Sequence, residues 1–132
     1  MKFEDVIAAA NNVAVAHDMP LVFGDEAVQN MFADTTDVDF YTLDVTGGRY
    51  DTVEFNGEPT YSVVIRCMGT SHYMRSDADE IDTLIRTDRL IREMAAAFIC
   101  KFELSPLRFT RVFNEYSSVK SGWEIRFDLY HT

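Results

Sequence analysis

Cysteine is nearly absent. Cys67 and Cys100 are the only two in 132 residues, which is too few for a disulfide framework. Each lies among apolar neighbours on a predicted regular element, so both are expected to be buried, reduced thiols of a cytosolic protein. Histidine is equally scarce. His17, His72 and His131 show no metal-ligand spacing of the HxxxH or CxxC kind. A Cys67–His72 dyad would need a lowered thiol pKa and a third, orienting group, and the sequence shows neither. Long apolar runs are missing too. Nothing approaches the length of a membrane-spanning helix, and the opening MKFEDVIAAANN turns acidic at once, so neither a membrane anchor nor a signal peptide is expected.

Positive charge is missing from the first half. Residues 1–59 hold two cations, Lys2 and Arg49, against twelve acids, whereas residues 60–132 hold ten of each. The whole net charge of -10 therefore sits in the N-terminal half. Such a surface repels nucleic-acid phosphates, though it suits the wall of a conduit through which DNA must slide. Arg86, Arg89 and Arg92 do not make a basic patch, because acids one helical turn away offset them. Gly47-Gly48 lacks the other glycines of a phosphate loop and is expected to break a strand. Asp77 and Glu80 are expected to satisfy a helix start rather than to act as acid and base.

The strongest positive signal is Ser76–Leu104. Ile81, Leu84, Ile85, Ile91, Met94, Ala95, Phe98 and Phe102 recur three or four apart, which predicts one long helix with those residues inward. Acids crowd its start, Lys101 lies near its end, and Pro106 stops continuation. A helix of that length is about 40 Å long and spans a small domain.

Phe3–His17 predicts a first amphipathic helix, with His17 in its last turn. Leu21–Phe23 is a strand fragment. Asp25–Phe32 predicts a helical turn capped by Asp25, with Val28, Met31 and Phe32 inward, and Ala33–Asp39 a polar loop. Phe40–Val45 and Arg49–Phe55 are strand-like, and Asn56-Gly57 is a type I′ hairpin signal. Thr60–Met68 returns as the partner strand, with Tyr61, Val63, Ile65 and Cys67 on one face. Gly69–Arg75 joins it to the long helix. Leu107–Tyr116 predicts the next strand and Ser117–Gly122 a turn. In Trp123–His131, Trp123, Ile125, Phe127 and Leu129 oppose Glu124, Arg126, Asp128 and Tyr130.

The expected fold over residues 1–132 is therefore one α+β domain. An antiparallel or mixed sheet of four to five strands packs against one long helix and an N-terminal helix. Aromatic and methionine side chains exceed what one helical layer covers, which makes Met31, Phe32, Tyr41, Tyr61, Tyr73 and Tyr130 candidates for contact with other subunits.

This order resembles the tail terminator and tail-completion (neck) proteins of long-tailed bacteriophages. The stretches that carry the resemblance are FEDVIAAANNVAVA leading into a short strand, RYDTVEFNGEPTYSVVIRCM before an acidic-started helix, and the closing GWEIRFDLYH. The resemblance implies a structural virion subunit, made in the host cytoplasm, with no catalysis, metal or cofactor. It would form a ring, often of six copies, that ends the tail tube and meets the head connector. Its partners would be itself, the tube and connector proteins, and DNA only as passing cargo, with no membrane. Candidate contacts are Asp34, Asp37 and Asp39 in the acidic loop, Asn56 and Gly57 at the hairpin, and Tyr41, Tyr61 and Tyr130 on strands. The alternatives are a small intracellular module that binds another protein through an open sheet face, and a ligand-binding protein or enzyme using a cavity between helix and sheet.

Overall fold

The computed structural model describes residues 3–25, 28–29, 38–49, 60–70, 77–113 and 120–131. Two helices and six strands lie within them: α1 Phe3–Ala16, β1 Leu21–Phe23, β2 Phe40–Arg49, β3 Thr60–Thr70, α2 Asp77–Lys101, β4 Glu103–Leu104, β5 Arg108–Phe113 and β6 Lys120–His131. The sheet runs β1-β2-β3-β6, with β4 and β5 sharing the far edge of β6. β1 is parallel to β2 and every other pair is antiparallel, so this is a mixed sheet and an α+β fold. The six strands exceed the four to five expected, because β1 and the two-residue β4 both join the ladder.

Both helices pack on one face of the sheet. Val6, Ala10 and Ala14 of α1 meet Ile91, Met94 and Phe98 of α2 over Leu43, Val63, Ile65, Ile125, Phe127 and Leu129. The period-two alternation of β3 and β6 delivers these residues to one side, as their sequence predicts. His17, the first residue beyond α1, pairs with Glu93 of α2 and ties the helices together at the surface.

The structure corrects the sequence reading at several points. The strand through Phe40 does not end at Gly47-Gly48. β2 runs on to Arg49, with a register shift between Val45 and Gly47, and Gly47 takes φ 139°. A bulge needs a residue free to adopt that conformation, so the glycine bends the strand instead of ending it. β6 likewise starts at Lys120, two residues before Gly122, inside the expected turn. The long helix stops at Lys101, because Leu104 pairs with Leu129 as β4.

The inward stripe of α2 is also rotated in its first half. Glu80, Thr83 and Thr87 are buried there, while Ile81 and Ile85 are 54% and 64% exposed. Positions 80, 83, 87, 91, 94 and 98 form the true stripe, one residue out of phase at its start. The reason is polar pairing beneath the helix. Ser121 Oγ donates to Glu80 Oε2 at 3.3 Å, and Thr87 Oγ1 donates to the Thr83 carbonyl at 2.7 Å. Gly69 of β3 permits the close approach, since a Cβ there would stand 2.8 Å from Thr83 Cγ2.

Candidate functional site

The face of the sheet away from the helices is half covered. Each rung across it can be read from the strand registers. In the first rung, Phe40, Met68 and Val112 form a second small core, with Val22 against it. In the next rung, Arg66 and Glu124 face one another. Glu124 is buried and accepts from Arg66 Nε at 3.0 Å and Arg126 Nε at 2.8 Å. Burial pushes its carboxyl upward, but the hydrogen bonds and charges of the two arginines outweigh burial and hold it below the usual carboxylate range.

The third rung is open. Asp44, Val64, Arg126 and Arg108 lie side by side. Arg108 and Arg126 are like charges directly opposite one another, an unfavourable pairing. Arg126 is held by Glu124, while Arg108 is exposed and has no ion-pair partner among the described residues. A groove of about 330 Å³ opens here, lined by Thr46, Ser62, Ser105, Pro106, Arg108, Arg126 and Asp128 among others. Its acid is already engaged, because Ser62 Oγ donates to Asp128 Oδ1 at 2.8 Å.

The expected contact residues are not brought together. Tyr41 is fully buried on the helix side of β2, and its hydroxyl donates to the Leu90 carbonyl at 2.8 Å. It therefore has no surface to give a neighbour. An interior strand places alternate side chains in the core, whatever their type. Asp39 is bound bidentately by Arg86, at 2.6 and 3.0 Å, and its carboxylate is satisfied internally. Those bonds hold the Arg86 guanidinium above its ordinary pKa, although burial opposes them. Tyr61 is half-buried, with its ring 6.0 Å from that of Phe3, and Tyr130 is half-buried near the end of β6. Asp34, Asp37, Asn56 and Gly57 lie outside the described residues, as do Met31, Phe32, His72 and Tyr73.

Cys67 is buried as expected. Burial, and then the charge of Asp39, push its thiol pKa upward, the opposite of what a nucleophile requires. Cys100 is exposed on α2, contrary to expectation. Val28 is also exposed rather than inward, although the predicted cap is present, with Asp25 Oδ1 accepting from the Val28 N–H at 3.2 Å. Among the described residues no group of three or more His, Cys, Asp or Glu is placed to hold a metal ion, and no helix is long and apolar enough to cross a membrane.

Sequence reasoning missed the two edges of the sheet. At the β1 edge, Phe3 and Phe23 are half-exposed and meet edge to face at 5.9 Å, with Val28 exposed beyond Gly24. At the β5 edge, Phe109 is half-exposed and stacks on Trp123 at 4.7 Å and 8°, and the Arg92 guanidinium sits 5.9 Å above its ring. The available signal was RFTRVF, an aromatic flanked by arginines in a short strand. Compared with models of protein families the chain matches none, and no curated protein matches it.

Proposed function

We propose that this chain is a structural subunit at the head–tail junction of a phage or phage-derived particle. It would form a ring that ends the tail tube and joins it to the head connector. The order of its elements, which resembles that of tail terminators, motivates the reading. The observation that carries it is where the exposed aromatic side chains lie among the described residues. Two opposite sheet edges each present an aromatic patch, Phe3 with Phe23 and Phe109 with Trp123. Repeated association uses two such surfaces per copy. Among the described residues, Asp39 is paired with Arg86, and Glu80 with Ser121 and Arg111. DNA would be cargo, repelled by the excess of acids rather than held.

The test is compositional. Particles made from the encoding genome are purified and their proteins quantified by mass spectrometry, with and without this gene. The expected result is a few copies per particle, and tails of uncontrolled length or unjoined heads when the gene is removed. Its absence from particles, together with normal particles after deletion, would overturn the reading. The groove beside Arg108 favours a second reading, a module that binds an acidic protein segment through the open sheet face. That reading would gain from the same negative result.

A further inference from the structure

We infer that the groove beside Arg108 binds a carboxylate of an acidic protein segment, held between the guanidinium groups of Arg108 and Arg126. The inference deepens the module reading above and rests on it for its partner, while its chemistry stands on the groove itself.

The outer face of the sheet already holds one such group. Glu124 lies between two arginines, accepting from Arg66 Nε on Oε1 at 3.0 Å and from Arg126 Nε on Oε2 at 2.8 Å. Guanidinium, carboxylate and guanidinium therefore alternate along this part of the face. The next cation is Arg108, which the register sets directly opposite Arg126 on β5. Among the described residues no carboxylate pairs with both of them. Arg126 uses only its Nε–H on Glu124, which leaves its two Nη groups without a partner among those residues. The Arg108 guanidinium is exposed and has neither hydrogen bond nor ion pair among them. The other acids of this face do not fill the gap. Asp128 accepts from Ser62 Oγ at 2.8 Å, and Asp44 forms no ion pair among the described residues. Like charges set opposite one another in a sheet are unfavourable. One incoming carboxylate would replace that repulsion with charge-assisted hydrogen bonds to both arginines.

The groove gives that carboxylate a place. It measures about 330 Å³ and is lined by Thr46 of β2, Ser62 of β3, Arg126 of β6 and Arg108 of β5. That volume is at the small end for a binding site, and it suits one side chain with its neighbouring backbone. The groove crosses four strands on an open sheet face, so a polypeptide can enter at one end and leave at the other. Charge selects an acidic one. The net charge of -10 lies in residues 1–59, and of the groove's described lining only Thr46 comes from that half. The chain's surplus of acids therefore does not line the groove. Carboxylate is favoured over phosphate because the same face already seats a carboxylate between two arginines.

The probe is a fluorescent hexaglutamate peptide. Its anisotropy is read against protein at about 0.05 M salt, where screening is weak. The native chain is expected to bind it saturably, with Kd below about 1 mM. Arg108 holds nothing else among the described residues, so Arg108→Gln leaves the fold intact and is expected to weaken binding about tenfold or more. Arg126→Gln is expected to weaken it as well, with circular dichroism confirming the fold. Lys101→Gln removes an equal charge on the helix side of the sheet and is expected to change binding less than about twofold. Absence of saturable binding, or equal losses in Arg108→Gln and Lys101→Gln, would overturn the inference. So would inorganic phosphate that binds more tightly than the peptide. A partner protein captured equally by the native chain and by Arg108→Gln would sink this inference and leave the module reading standing.

Discussion

At the scale of single residues, Glu124 is the group on which the half-open sheet face depends. It is buried between Arg66 and Arg126, whose side chains are 14% and 53% exposed. Removing it leaves the guanidinium of Arg66 with less compensation in a place water scarcely reaches. Glu124→Ala is expected to cost about 2–4 kcal/mol at pH 7, and Arg126→Ala under about 1 kcal/mol because that arm is half in water. The native carboxyl is held below the ordinary range, so its contribution is complete above the unfolded carboxylate pKa of about 4.3. It is lost as pH falls through the depressed native value. Urea unfolding at pH 7 and pH 3 checks both points, and the gap between native chain and Glu124→Ala should narrow at the lower pH. Equal losses for the two variants at pH 7 would show that Glu124 is not the central partner. This network was only partly legible in sequence. Alternation placed Glu124 and Arg126 on the face away from the core, but it did not say what they meet there. The rung to Arg66 is a long-range pairing that no local pattern encodes.

At the scale of elements, α2 shows which part of a helix sequence is self-evident. Its period was legible, because apolar residues must recur near every 3.6 positions to share a face. Its phase in the first half was not. There the buried positions are a glutamate and two threonines, made tolerable by Ser121 and by the helix's own carbonyl. Ile85→Glu is therefore expected to change stability by no more than about 0.5 kcal/mol, whereas Met94→Ala is expected to cost about 2–5 kcal/mol. Denaturant midpoints measure both. A large loss at Ile85 would restore the apolar stripe that the sequence suggested. The bulge in β2 makes the same point. Gly47-Gly48 reads as a break, yet β3 supplies partners on both sides of it, and pairing continues past the kink.

At the scale of the whole molecule, charge is the governing asymmetry. The excess of acids lies in residues 1–59, whose described elements α1, β1 and β2 stand toward one edge of the sheet. Like charges gathered in this way oppose the compact state. The melting temperature should therefore rise with added salt, by about 3–6 °C as the screening length shortens from about 30 Å to about 8 Å. Scanning calorimetry at about 0.01 and 0.15 M salt reads the change. A fall would mean that exposed ion pairs outweigh the repulsion.

The sequence by itself determined the α+β class, the two helices, the core faces of β3 and β6, and the charge imbalance between the halves. Each of these follows from local periodicity or simple composition. Only the tertiary structure decided that β1 lies parallel beside β2, that Tyr41 belongs to the core, and that Phe23 and Phe109 end up at opposite edges of the sheet. Those facts depend on which distant strands pair. Pairing is settled by the summed packing of the whole sheet, which no short stretch of the chain contains.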